Sequence, residues 1–225
     1  VVKVRQTDLA GNVSSAVSIG AVTVDTTVAA PGIMLHADTG VSSTDGITQD
    51  LTLNVTLASD VASWQYSLDG GTSWTSGTDS ATITLADNTT YLTGSILVEQ
   101  TDTAGNVASS VYGSAIRTDN VSGAISASYV DTGASASDTI TSNGVVTVAL
   151  TSDVASWSYS TDGGTTWNVG GGNSFTLAAG SYASGDVRVH QTDLAGNVSD
   201  DVSIGAITVD ATVAAPGIML HADTG

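Results

Sequence analysis

The stretch VAAPGIMLHADTG occupies residues 28–40 and, letter for letter, residues 213–225. A chain that repeats itself builds its fold by reusing one unit, so the period limits how large that unit can be. The same periodicity appears elsewhere. QTDLAGNV at 6–13 returns as QTDTAGNV at 100–107 and as QTDLAGNV at 191–198, offsets of 94 and 91. WQYSLDGGTSW at 64–74 returns as WSYSTDGGTTW at 157–167, and ADTGVSSTDGI at 37–47 as VDTGASASDTI at 130–140, both offset by 93. Two slightly different modules of about 90 residues therefore alternate. Their expected limits are 26–119 and 120–210. Residues 1–25 read as the tail of a preceding module and 211–225 as the first strand of a following one, so the chain is expected to be a window on a longer array.

The modules read as all-β. LTLNVTL (51–57), VVTVAL (145–150), ATITL (81–85), SILVEQ (95–100) and VRVHQ (187–191) alternate or run apolar, and DGG, AGN and SDG turns separate them. About seven short strands per module give tandem immunoglobulin-like β-sandwiches in an extended array. Trp64 and Trp157 fall on the third strand as core residues. Tyr91 and Tyr182, each nine residues before the Gln of QTD, sit where a tyrosine corner would close the bend into the sixth strand. Charge composition agrees with a turn-rich fold. The net charge is −18, and every acidic residue but Glu99 is Asp, a turn and cap residue and a hard oxygen ligand.

Composition also excludes functions. Cysteine is absent, so neither a disulfide nor a zinc–thiolate site exists. Lys3, Arg5, Arg117 and Arg188 are too few and too scattered for a nucleic-acid footprint. No apolar run approaches the roughly 20 residues of a membrane helix. His36, His190 and His221 stand isolated and match no catalytic spacing. GGGN at 170–173 precedes a strand rather than a helix and reads as a turn. SLDGGTSW and STDGGTTW resemble the Asp-box of sialidases, a structural hairpin in which Asp accepts backbone N–H bonds and Trp packs beneath. No nucleophile or arginine cluster accompanies it, so an enzyme has no constellation behind it.

TDxAGN closing a hairpin, VDTT at a junction and a cysteine-free, Asp-rich module together resemble bacterial immunoglobulin-like repeats of giant surface adhesins, including type-I-secreted RTX adhesins. The resemblance covers the whole chain. It implies a calcium-stiffened extender at the bacterial cell surface, with binding activity in other domains. The partners it implies are neighbouring repeats of the same chain. Alternatives are a self-assembling filament or sheath, with other copies of the chain as partners, and a glycan- or ice-binding module.

The Asp residues sort by recurrence. Asp8/Asp102/Asp193, Asp25/Asp119/Asp210, Asp38/Asp131/Asp223, Asp45/Asp138, Asp60/Asp153 and Asp69/Asp162 recur in matching modules. Asp50, Asp79, Asp87, Asp186, Asp200 and Asp201 do not, and read as solvating charges. In a seven-strand sandwich the A–B loop (Asp38, Asp45) and C–D turn (Asp69) belong at one pole. The B–C loop (Asp60) and F–G turn (Asp102, Asn106) belong at the other. Stacking two modules is then expected to bring Asp38, Asp45 and Asp69 toward Asp153, Asp193 and Asn197, with linker Asp119 between. Such a concentration of carboxylates repels itself unless a cation neutralises it, and Ca2+ takes six to eight oxygens. The candidate calcium ligands are Asp25, Asp38, Asp45, Asp60, Asp69, Asp102, Asn106, Asp119, Asp131, Asp138, Asp153, Asp162, Asp193, Asn197 and Asp210. The competing reading is that these residues cap turns through Asx hydrogen bonds and bind nothing.

Overall fold

Period-two patterning places the strands, and the computed structural model, which describes residues 1–219, consists of short β-strands joined by turns. The second copy of the thirteen-residue stretch runs outside the described residues from position 220, and His221 and Asp223 go with it. The chain divides into two units. The first comprises Val1–His36, Thr52–Leu85 and Tyr91–Ala115; the second comprises Ala37–Leu51, Ala86–Thr90 and the chain from Ile116 onward.

The first unit holds a sandwich of seven strands. Gly32–Leu35, Thr52–Thr56 and Thr82–Thr84 form one antiparallel sheet. Thr75–Ser76, Val61–Ser67, Leu97–Asp102 and Val107–Val111 form the other. Burial alternates along the strands: Leu53 and Val55 are buried between partly covered or exposed neighbours, as are Val98, Gln100 and Asp102. Leu53, Ile83 and Val98 are wholly buried. Residues 1–25 add a two-stranded pair, Lys3–Val4 with Val17–Ser18, in which every residue is exposed.

The second unit repeats the sandwich. Ser126–Tyr129, Val145–Ala149 and Ser174–Thr176 form one sheet; Asn168–Val169, Val154–Ser160, Arg188–Asp193 and Val202–Ser203 form the other. Val146, Val148, Trp157, Phe175, Leu177 and Val189 pack into one core. Burying each such side chain contributes about 1.5–3 kcal/mol. A smaller sheet joins Ile140–Thr141, Ile207–Val209 and Gly180–Tyr182. Tyr182 donates its hydroxyl to the Ala178 carbonyl at 3.1 Å, the back-bond of a tyrosine corner. Also within this unit, Ile47–Thr48 runs parallel to Ile116–Thr118. The loop after His36 meets the turn at 193–197: Val41 N donates to Leu194 O at 3.2 Å, and Gln49 Nε2 to Ala195 O at 3.1 Å.

One expectation is qualified and one corrected. Trp74 lies against its hairpin, with Cζ2 3.8 Å from where a Cβ at Gly71 would stand, yet the residue is 37% exposed. His190 is not isolated: it lies 4.0 Å from the Trp167 ring and 3.2 Å from Asp201, which also faces Arg188 at 3.7 Å. Asp201 is therefore more than a solvating charge.

Candidate functional site

The recurrent Asp residues separate into three local devices. The first is the Asp-box hairpin. Asp69 Oδ1 accepts from Ser67 Oγ (2.7 Å) and Ser73 N (2.9 Å), while Oδ2 accepts from Ser73 Oγ (2.5 Å). Asp162 does the same with Ser160 and Thr166. Both carboxylates are thus occupied within their own turns. The Ser73 and Thr166 hydroxyls, with the backbone N–H of the same residues and the Ser67 and Ser160 hydroxyls, pull the two pKa values down to about 2.

That depression fixes a pH dependence. A carboxyl held below its unfolded value, near 3.9, stabilises the fold above that value and loses the contribution as pH falls toward the folded pKa. The expected result is a loss of stability between about pH 4 and pH 2. In the double variant Asp69→Asn/Asp162→Asn this part of the slope should flatten. Tryptophan fluorescence followed through an acid titration checks it, and an unchanged slope in the variant would remove these two residues from the account.

The second device is the A–B loop. Asp38 Oδ2 accepts from Gly46 N at 2.9 Å, and Asp131 Oδ2 from Thr139 N at 3.0 Å. Asp45 and Asp138 each accept the amide two residues on, from Ile47 and Ile140 at 3.0 Å. The remaining oxygens, Asp38 Oδ1 and Asp131 Oδ1, are buried with no hydrogen-bond partner, at equivalent positions of the two modules. A carboxyl oxygen stripped of water and left unpartnered is costly. A bound cation is one chemical answer to it, and the donor set is the hard-oxygen kind that calcium uses.

The third device combines the linker, the B–C loop and the F–G turn. In TDxAGN the Asp folds the turn on itself. Asp102 Oδ1 accepts from Ala104 N (2.9 Å) and Asn106 N (2.8 Å), and Oδ2 accepts from Asn106 Nδ2 (2.8 Å). Gly105, at φ 93°, supplies the left-handed step that brings the chain round. Asp8 with Asn12 builds the same turn. Asp193 likewise accepts both the backbone N–H and the amide nitrogen of Asn197 at 2.9 Å. The asparagine nitrogen also reaches the linker: Asn106 Nδ2 donates to Asp25 O at 3.3 Å, and Asn197 Nδ2 to Asp119 O at 2.9 Å. Both asparagines thus clamp the linker through the amide nitrogen, which leaves Oδ1 as the atom that could meet a cation. The B–C loop is pinned by its backbone, with Thr103 N on Asp60 O (3.0 Å) and Leu194 N on Asp153 O (2.9 Å). Linker Asp25, Asp119 and Asp210 each accept the amide two residues on.

In the first unit this arrangement places carboxylate oxygens of Asp25, Asp60 and Asp102 within 4.8 Å of one another, the one such acidic group among the described residues. Asp102 is buried, and its pKa is lowered chiefly by the Asn106 amide, so it is ionised at neutral pH. In the second unit the equivalent trio is Asp119, Asp153 and Asp193. There the Arg117 guanidinium enters: its Nη2 lies 2.6 Å from Asp119 Oδ2 and 2.7 Å from Asp153 Oδ2. That contact holds Asp153 below the usual carboxylate range and raises Arg117. The sequence treated Arg117 as a stray charge, although its place two residues before a recurrent linker Asp was a usable signal.

No protein-family model matches the chain, and a search of curated proteins finds no match. Solved structures do resemble it. Fibronectin(III)-like modules of Clostridium thermocellum CbhA align at 14% identity over 84% of this chain and 100% of theirs, with a TM-score of 0.37. A structure from a 1.5-MDa bacterial ice-binding adhesin aligns at 18% identity over 92% of this chain and 72% of that one, with a TM-score of 0.35. A Ca2+-stabilised ice-binding adhesin of an Antarctic bacterium aligns at 19% identity and a TM-score of 0.35, over 92% of this chain and 56% of its own length.

Proposed function

We propose that this chain is an extender segment of a long, repetitive bacterial surface adhesin or fibre, without chemistry of its own. In this reading calcium stiffens it where a linker meets the next sandwich. The observation that carries the reading is the Asp25, Asp60 and Asp102 trio within 4.8 Å. Its three carboxylates come from a linker, a B–C loop and an F–G turn. A cation there would tie the linker to two loops of a folded sandwich, and so convert ambient calcium into rigidity. A bound calcium ion would supply the positive charge, and the carboxylates would supply the oxygens that coordinate it. Asp25, Asp60 and Asp102 hold it in the first unit, and Asp38 and Asp131 are candidates within their own loops. Such a segment sets reach, which serves cell adhesion and biofilm formation by domains elsewhere.

Calcium titration of the 225-residue chain by calorimetry, paired with small-angle scattering with and without chelator, tests the proposal. Asp60→Asn removes one carboxylate and leaves the Asp60 carbonyl, which holds the F–G turn, in place. Wild type should bind calcium at micromolar to millimolar strength, the variant should lose one site, and chelation should broaden the scattering-derived distance distribution. Absence of calcium binding, or a distribution indifferent to chelator, would remove the cation from the account.

A further inference from the structure

Two trios built from the same three loops carry different charge. Asp25 corresponds to Asp119, Asp60 to Asp153 and Asp102 to Asp193 in the repeat register. The scaffolds share the asparagine-closed Asp turn, the asparagine clamp on the linker carbonyl and the backbone pin from the F–G turn to the B–C loop. One position departs. Two residues before the linker Asp, the copies at Asp25 and Asp210 carry Thr23 and Thr208, whereas the copy at Asp119 carries Arg117.

Arg117 lies on the strand Ile116–Thr118, between two fully buried residues. This fixes its backbone; the side chain is 38% exposed, and the two carboxylates it meets set the place of the guanidinium. A single nitrogen, Nη2, contacts Asp119 Oδ2 and Asp153 Oδ2 together, and the Asp193 charge also acts on the group. A bridging ion between linker and B–C loop would make the same two contacts. A guanidinium is charged at every pH of interest, and its hydrogen bonds to carboxylate are of the stronger, charge-assisted kind. Asp119 is 5% exposed, so water compensates little of its charge.

We propose that Arg117 is a tethered cation standing in the place of a metal ion. The trio Asp119/Asp153/Asp193 is then closed without calcium, while Asp25/Asp60/Asp102 requires it. The second half of this statement rests on the reading of the first trio as a calcium site. An array of such modules alternates cation-gated and permanently closed positions, so removing calcium loosens only every second one.

The experiment compares calcium stoichiometry, by equilibrium dialysis and terbium luminescence, across the 225-residue wild type and its variants, each checked for folding by circular dichroism. In wild type, Asp60→Asn should remove one bound ion and Asp153→Asn none. Arg117→Thr, the residue found in the other copies, should add one ion, and Asp153→Asn in that background should abolish the gain. The reciprocal Thr23→Arg should remove the Asp60-dependent ion, and it keeps the test decisive where Arg117→Thr fails to fold. Loss of an ion from wild type on Asp153→Asn overturns the proposal and leaves the calcium reading of the first trio standing. A gained ion in Arg117→Thr with no Asp60-dependent ion in wild type overturns that reading and supports the role of Arg117. Unchanged stoichiometry in both Arg117→Thr and Thr23→Arg overturns the proposal outright.

Discussion

Trp64→Ala and Trp157→Ala will each destabilise their sandwich by about 3–5 kcal/mol, the range for deleting a large buried aromatic. The indoles are 8% and 4% exposed. Each also donates a hydrogen bond, Trp64 Nε1 to Thr78 O at 3.0 Å and Trp157 Nε1 to Gly172 O at 2.8 Å. Alanine therefore opens a void and strips a carbonyl of its partner. The void is poorly refilled, because the neighbour across the ring is backbone. A Cβ at Gly77 would come 1.9 Å from Trp64 Cε2, and one at Gly170 would come 2.1 Å from Trp157 Cε2. Trp157 should be the costlier loss, since it packs at 6.0 Å from Phe175, whose own ring stacks 4.1 Å from Tyr159. The corresponding position in the other module is Ile83. For a sandwich of this size the thermal midpoint should fall by more than about 10 °C. A shift of only a few degrees for either variant would mean that the ring is not the keystone its burial implies.

The same tryptophans show how far the sequence could be read. Their recurrence at an offset of 93, on a strand of alternating pattern, was enough to put them in the core. Pairing each with a glycine was not, because Gly77 and Gly170 sit 13 residues further on, across a hairpin whose register no propensity encodes. GGGN was legible as a turn; that the first glycine is there to admit an indole face was not. The placing of Asp60 and Asp102 at one end of a sandwich followed from strand count and connectivity, because loops of alternating strands must share a pole; that linker Asp25 joins them did not. Composition could not tell Asp69 from Asp102: both recur and both open glycine-containing turns. The difference lies in which donors surround them. The hydroxyls of Ser67 and Ser73 close Asp69 upon its hairpin, whereas an asparagine four residues on lets Asp102 hold a second segment. Arg117 was missed for a related reason. A basic residue is informative only once the acidic loops around it are placed, and its contact with Asp153 spans 36 residues of chain.

Gln100→Leu and Gln191→Leu should each cost about 2–5 kcal/mol, although neither residue touches the acidic trios. Both are wholly buried, where an amide side chain is tolerated only if it is satisfied. Gln100 Oε1 accepts from Ala58 N at 3.0 Å while its Nε2 donates to Ala29 O at 2.5 Å. Gln191 Oε1 accepts from Thr151 N at 3.2 Å, and its Nε2 donates to Gly123 O and Thr151 Oγ1, both at 2.9 Å. Leucine fits the volume but leaves a backbone N–H and a carbonyl unpaired, at about 1–3 kcal/mol for each buried group. The carbonyls at stake belong to the segments just after Asp25 and Asp119, so the glutamine tethers each linker a second time, behind the asparagine clamp. Its loss should therefore raise amide exchange at Ala58 and Thr151 in the respective variants. It should also weaken calcium binding at Asp25 when Gln100 is the residue replaced, because a linker free to swing holds its carboxylate less often in place. Hydrogen exchange with calcium titration reads both effects. A Gln100→Leu protein as stable as wild type, with unchanged exchange at Ala58, would show that the buried amide is packing filler and that the linker is held by Asn106 alone.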